Sequence, residues 1–279
     1  MPLGVEGHSF APVPQEPIGD DWAGVVPSAP VRPIFCTVCG SRMPPEWDLC
    51  QACPPSFQSR FPTIAGPGVQ IGSSLWLYFT LLAASIIGVL IAFAQDSNDN
   101  LVGLEIGISI AHSVIVIVFG VAHWNHVREP LTRFGGLRWY PIAIGLAPVT
   151  FLVATLALEA LKLLPEMIIL EYAPPYLEAG YGWFTIIFWI CVQPAIIEEI
   201  AFRGVVLGGL RRVLTDREAL VISTFLFGLL HLSLPSMPHL LLIGGVLGWL
   251  RLRSGSLLPG MVMHFLHNLL CLWGEAAGI

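Results

Sequence analysis

The chain has 279 residues, of which 55% are hydrophobic and only 11% charged, and its mean hydropathy is +0.75. A soluble protein carries about 25% charged residues, and a globule this poor in them could not cover its own surface. That excludes a soluble enzyme, a disordered tail protein and a nucleic-acid binder, and leaves an integral membrane protein, whose partner is the lipid bilayer. The net charge of -6 says little, because in a membrane the placement of positive residues matters more than their sum.

Proline divides the chain: 13 of the 23 prolines precede residue 68, and no uncharged run there is long enough to span a bilayer. Residues 1–67 are expected to form an extramembrane, cytoplasmic tail. The first residues show no basic stretch followed by an apolar one, so no secretory signal is expected. Four of the six cysteines fall in the tail, as Cys36-Thr37-Val38-Cys39 and Cys50-Gln51-Ala52-Cys53. In a reducing compartment, paired CxxC turns hold metal rather than disulfides, and four thiolates satisfy tetrahedral zinc. A small structural zinc ribbon over 36–53 is therefore expected, with no open coordination position and no catalytic role.

From Gly72 to Ala94 the chain is uncharged for the ~20 residues that a ~30 Å hydrocarbon core requires. Further spans are expected at 101–123, 139–162, 181–209, 218–235, 238–250 and 256–273, giving an all-α, polytopic bundle of about seven helices. Residues 72–138 then form an accessory part and 139–279 the core. The segment 238–250 is short, and is expected to be tilted, extended into its loop or re-entrant. Arginines 32, 42 and 60, then 128, 133 and 138, then 211, 212 and 217, then 251 and 253 all fall on one side of such a seven-helix chain. Only Lys162 falls on the other, near a helix end where it can snorkel. Positive residues stay in the cytoplasm, which puts the N-terminus there and the C-terminus outside.

Ionisable groups inside spanning segments are costly and so point to function. The fourth span carries Glu198-Glu199-Ile200-Ala201-Phe202-Arg203. Glu199 and Arg203 share a helix face at i, i+4 and can neutralise each other, whereas Glu198 lies about 100° round the helix without that partner. An unpaired, poorly solvated carboxylate suits a general base. His231 comes 33 positions after Glu198, and the midpoint between them is the polar turn Leu214-Thr215-Asp216-Arg217. A helical hairpin about that turn places both residues at similar depth. In the last span, His264 and Asn268 share a face by i, i+4 spacing, while His267 lies about 60° aside and reads as packing. Glu105, His112 and His123 also read as packing or interface residues, since nothing at helical spacing completes a site with them. Pro194, one turn before Glu198, denies the carbonyl of Ile190 its helical hydrogen bond and is expected to bend the helix. The glycines at 204, 208 and 209 and at 244, 245 and 248 read as close-packing surfaces.

These residues compose EExxxR, FxxxH (Phe227 to His231) and HxxxN, in that order on three apolar segments. In this the chain resembles the CPBP family, the CAAX proteases and bacteriocin-processing enzymes whose membrane-embedded peptidases include the type II CAAX prenyl endopeptidases. The resemblance covers residues 140–275. It implies an intramembrane endopeptidase of a prokaryotic cell membrane acting on peptide or protein substrates, CAAX-type ones among them. It implies that Glu198 activates water, that His231 and His264 position that water or bind a metal, that Asn268 stabilises the oxyanion, and that Glu199 and Arg203 support the site. Whether catalysis uses a metal is left open: two histidines and a carboxylate can ligate zinc, yet no HExxH helix presents them together. No serine or cysteine in the motifs sits beside a suitable base, so direct attack by water is expected. The rival readings are a non-catalytic membrane binding or immunity protein and a proton-coupled transporter using Glu198 as relay.

Overall fold

The computed structural model describes residues 34–35, 42–43, 67–94, 101–161 and 171–278. Of the tail it describes two short strands, β1 (Ile34–Phe35) and β2 (Arg42–Met43), antiparallel with Ile34 opposite Met43. The four tail cysteines and Lys162 lie outside the described residues, and with them the expected zinc ribbon.

The rest is helical: α1 (Pro67–Ala94), α2 (Leu101–Ala122), α3 (Trp124–Thr132), α4 (Trp139–Leu161), α5 (Ala173–Glu178), α6 (Trp183–Leu210), α7 (Asp216–Leu230), α8 (Met237–Ser254) and α9 (Leu258–Ala277). Each of the seven expected apolar segments is a helix. Four of them, within α1, α2, α4 and α6, are long and apolar enough to cross a membrane. The expected span at 218–235 is shorter than its apolar run. α7 has 15 residues, about 22 Å of helix, against the ~30 Å of a hydrocarbon core. It stops because His231 caps it and Leu232 turns into the left-handed region at φ 51°, a conformation that costs a non-glycine residue ~1 kcal/mol. α8 makes the opposite departure and runs on to Ser254, where Gly255 at φ 69° closes it in the left-handed conformation.

One core joins all seven long helices. Leu77 of α1, Val116 of α2, Ala143 of α4, Phe202 of α6, Phe227 of α7, Leu247 of α8 and Met263 of α9 pack in a single buried cluster. The accessory helices α1 and α2 are thus part of the same hydrophobic unit as the rest. The outer faces are apolar as well: Leu90 and Phe93 of α1 and Leu152 and Leu156 of α4 are all more than half exposed. Water does not tolerate such a belt, and lipid tails do.

The glycine pattern works as close packing at two of the expected positions. A Cβ at Gly244 would lie 3.1 Å from the ring of Phe227, and one at Gly248 would collide with Leu220, so α8 sits directly against α7. Gly208 and Gly245 have open space around them. The α6–α7 turn forms where expected: Thr215 caps α7 in a reciprocal box with Glu218, and Arg211 holds Asp216 at 2.7 Å. At the same end of the bundle as the α8–α9 turn lies the end of α3, since Leu257 N–H donates to Pro130 O at 2.8 Å. At the other end the Glu275 carboxylate near the C-terminus of α9 accepts the backbone amides of Tyr172 and Ala173, at 3.0 and 2.8 Å.

Candidate active site

α6 carries the two glutamates, and its backbone is not a uniform α-helix. It passes through a π-helical segment at Phe188–Val192, an α segment at Gln193–Glu198 that holds Pro194, and a second π segment at Glu199–Val206. Single π turns within α-helices are uncommon and gather at functional sites, because the extra residue swings side chains to new bearings. Here the α-to-π junction falls between Glu198 and Glu199.

The two carboxylates are separated in environment. Glu199 is fully buried; its Oε1 lies 3.0 Å from Arg203 Nη1 and 3.2 Å from His264 Nδ1. Arg203, also buried, donates from Nη2 to the carbonyl of Gly244 at 3.0 Å and places its guanidinium 4.4 Å from the centre of the Phe227 ring. The guanidinium is thereby held by a carboxylate, a carbonyl and an aromatic face, which offsets the cost of burying it. Glu198 keeps a quarter of its side chain exposed and, among the described residues, has no arginine paired with it.

His264 stands between the glutamates. Its Nδ1 meets Glu199 and its Nε2 lies 3.8 Å from Glu198 Oε2. With Glu199 paired to Arg203 and therefore anionic, Nδ1 is the donor, and a neutral ring then turns its lone pair toward Glu198. The 3.8 Å gap is too long for a direct hydrogen bond and suits one bridging water. His231, as the cap of α7, donates from Nδ1 to Phe227 O at 2.9 Å, which leaves its Nε2 as an acceptor. Both imidazoles pack edge-on against Phe227, with ring centroids 4.9 and 6.3 Å away. Asn268 donates from Nδ2 to Ile190 O at 3.0 Å.

Glu198, His231, His264 and Asn268 all line one cavity of about 330 Å³. Glu199 and Arg203 lie behind its wall. The cavity also brings in residues outside the three motifs, Glu105 and His112 among them, which read from sequence as packing or interface. Glu105, Ser109 and His112 of α2 line it; their spacing of four and three residues puts them on one helix face, and that stripe was the available signal. His112 Nε2 is committed to Leu81 O and Ser85 Oγ of α1 at 3.3 and 3.2 Å. His239, just past the start of α8, also lines the cavity, and no spacing marked it.

One cysteine beyond the three motifs lies beside an imidazole. The ring is that of His267: its Nδ1 donates to Thr150 Oγ1 at 3.0 Å and its Nε2 faces Cys271 Sγ at 3.5 Å. The pairing arises from i, i+4 spacing on α9, and both side chains line the cavity that Glu198 and His264 line. Cys191 is fully buried. Among the described residues, no group of three or more His, Cys, Asp or Glu side chains is disposed to hold a metal ion. The His264–Glu198 pair supplies two donors, and a catalytic zinc needs three from the protein.

Gly260 of α9 faces Glu199, and a Cβ there would come within 3.0 Å of Oε2. Among the described residues that oxygen has no hydrogen-bond partner, and the carboxylate cannot turn without releasing Arg203 or His264. Gly260→Ala is therefore expected to lower stability by about 1–3 kcal/mol, read from thermal unfolding in detergent; an unchanged midpoint would contradict the packing.

Residues 180–270 match the family model for Rce1-like type II CAAX prenyl endopeptidases. That is the peptidase group to which the three motifs pointed, and the match begins just before α6 and ends within α9. It is narrower than the resemblance read from the motifs, and α1 to α5 lie outside it. No curated protein and no solved structure matches significantly.

Proposed function

We propose that the protein is an intramembrane endopeptidase that hydrolyses peptide bonds of membrane-associated substrates, CAAX-type proteins among them, through water activated by Glu198. The observation that carries this reading is the 3.8 Å separation of Glu198 Oε2 and His264 Nε2 at a cavity that His231 and Asn268 also line, inside an apolar bundle. A water between the two side chains donates one hydrogen toward Glu198 and the other to the Nε2 lone pair of His264, while His231 lines the same cavity with its own Nε2 lone pair. As the water oxygen attacks the scissile carbonyl carbon, its proton passes to Glu198; when the tetrahedral intermediate collapses, the same proton goes to the departing amine. The second Nδ2 hydrogen of Asn268 is the donor for the oxyanion, a role worth about 3 kcal/mol in other hydrolases. Glu199 and Arg203 fix the His264 ring. No acyl-enzyme forms.

The apolar part of the cavity wall, with Phe227, Ile243 and Leu272, favours a substrate that reaches it from the lipid. In this reading the bundle sits in the membrane of a prokaryotic cell, with α7 stopping short of its far face and with the arginine-bearing loops and the N-terminus in the cytoplasm. α7 ends within the hydrocarbon depth, where an irregular turn is tolerated because it borders a polar cavity. The test is mass spectrometry of products from a membrane-anchored, lipidated peptide incubated with the purified protein in micelles. A new carboxyl terminus paired with a new amino terminus is expected. Intact peptide under all conditions, with the protein folded, would overturn the reading.

In the tail, Cys36, Cys39, Cys50 and Cys53 hold a structural zinc in this reading. Metal analysis of the purified chain is expected to give one equivalent of zinc that disappears in Cys36→Ser/Cys39→Ser. Background zinc in the unmodified chain would reject the ribbon.

A further inference from the structure

In helical register the carbonyl of Ile190 receives the amide four residues on, but that residue is Pro194, whose nitrogen carries no hydrogen. A carbonyl freed in this way inside a membrane bundle is costly unless another donor reaches it. Asn268 of α9 is that donor, with Nδ2 3.0 Å from Ile190 O. Ile190, Pro194 and Asn268 line the same cavity as Glu198.

We propose that Pro194 is a positioning residue for the peptidase reaction: by withholding its amide it leaves the Ile190 carbonyl open as the acceptor that fixes the side-chain amide of Asn268. The proposal rests on the hydrolytic reading above for its catalytic consequence, and on the contact alone for its structural one. An asparagine amide turns easily about its last torsion. One of its two Nδ2 hydrogens is spent on Ile190, and that bond sets the plane of the group, hence the direction of the other N–H. A donor helps a developing oxyanion only if it is aimed before the charge appears. The π segment Phe188–Val192, in which Gln193 N–H bonds Phe188 O, lies immediately before the proline. Register shift and missing amide together release the carbonyl that Asn268 takes up, from a helix 78 residues away in sequence.

Pro194→Ala returns an amide one turn beyond Ile190, where it competes for the same carbonyl. The experiment uses the full chain in detergent with 15N-labelled asparagine. The sequence contains four asparagines, Asn98, Asn100, Asn125 and Asn268, and the side-chain signal lost in Asn268→Ala identifies the one of interest. In Pro194→Ala that signal is expected to move and its hydrogens to exchange faster with water. On the lipidated peptide, kcat is expected to fall about 10- to 100-fold with KM little changed, and the double variant Pro194→Ala/Asn268→Ala to be no slower than Asn268→Ala alone. Pro148→Ala, at an exposed proline inside α4, is the control and is expected to leave signal and rate alone. An unmoved Asn268 signal in Pro194→Ala overturns the proposal outright. A moved signal with losses that multiply in the double variant overturns its catalytic half. Should the wild-type chain hydrolyse nothing, the hydrolytic reading falls, and the signal still decides whether Pro194 sets the asparagine.

Discussion

Glu198→Gln is expected to lower kcat on a membrane-anchored peptide by about 10²- to 10⁴-fold while leaving insertion and the unfolding midpoint close to those of the wild type. The glutamine keeps the size of the side chain and removes the basic oxygen that faces His264 Nε2 across 3.8 Å. Folding tolerates the change because Glu198 is partly exposed to the cavity and, among the described residues, makes no ion pair with an arginine. Glu199→Gln is expected to behave differently. It loosens Arg203 and His264, so it lowers stability clearly and kcat by less than Glu198→Gln does. Rates and unfolding midpoints measured on both variants separate the two roles; equal activity of Glu198→Gln and wild type would remove Glu198 from the chemistry.

Arg203→Met is expected to be the most destabilising single change in the protein, by about 3–5 kcal/mol. It strands the Glu199 carboxylate in a fully buried position, and it leaves the Gly244 carbonyl without its donor. The thioether and methylene groups of methionine fill part of the space beside Phe227 but return neither hydrogen bond. Arg203→Lys is expected to recover little, because one ammonium cannot reach Glu199, Gly244 and the Phe227 face from the geometry that the planar guanidinium occupies. The double variant Arg203→Met/Glu199→Gln is expected to be more stable than Arg203→Met, since the stranded charge is gone. Thermal unfolding in detergent checks the series; additive losses in the double variant would mean that the pair is not the stabilising unit.

The apolar helices were legible, four of them long enough to cross a membrane, because an uncharged run of sufficient length has few alternatives in lipid. The polar site was legible through helical spacing: 199 with 203 and 264 with 268 are pairs that any helix brings onto one face. Two features were not. The end of α7 at Leu230 lies inside an apolar run, and what stops the helix is a cap at His231 followed by a left-handed Leu232, neither of which has a composition signal. The π segments of α6 depend on tertiary demands on Glu199 and Arg203, so the bearing of Glu198 relative to Glu199 could be read only roughly from a uniform 100° per residue. Pro194 was half legible. Its missing amide was evident in the sequence, but the donor that replaces it belongs to α9 and appears only in the packed bundle. The stripe Glu105, Ser109, His112 had the right spacing, yet spacing does not say which neighbour a face meets, and here it meets the cavity of α6 and α9.

The most direct measurement is a comparison of protein termini in native membranes from cells producing either the wild-type chain or Glu198→Gln at equal levels. Membrane proteins with new amino termini at or near the lipid surface are expected with the wild type and are expected to disappear with Glu198→Gln. Identical sets of termini in the two membranes would contradict an intramembrane peptidase that works through Glu198.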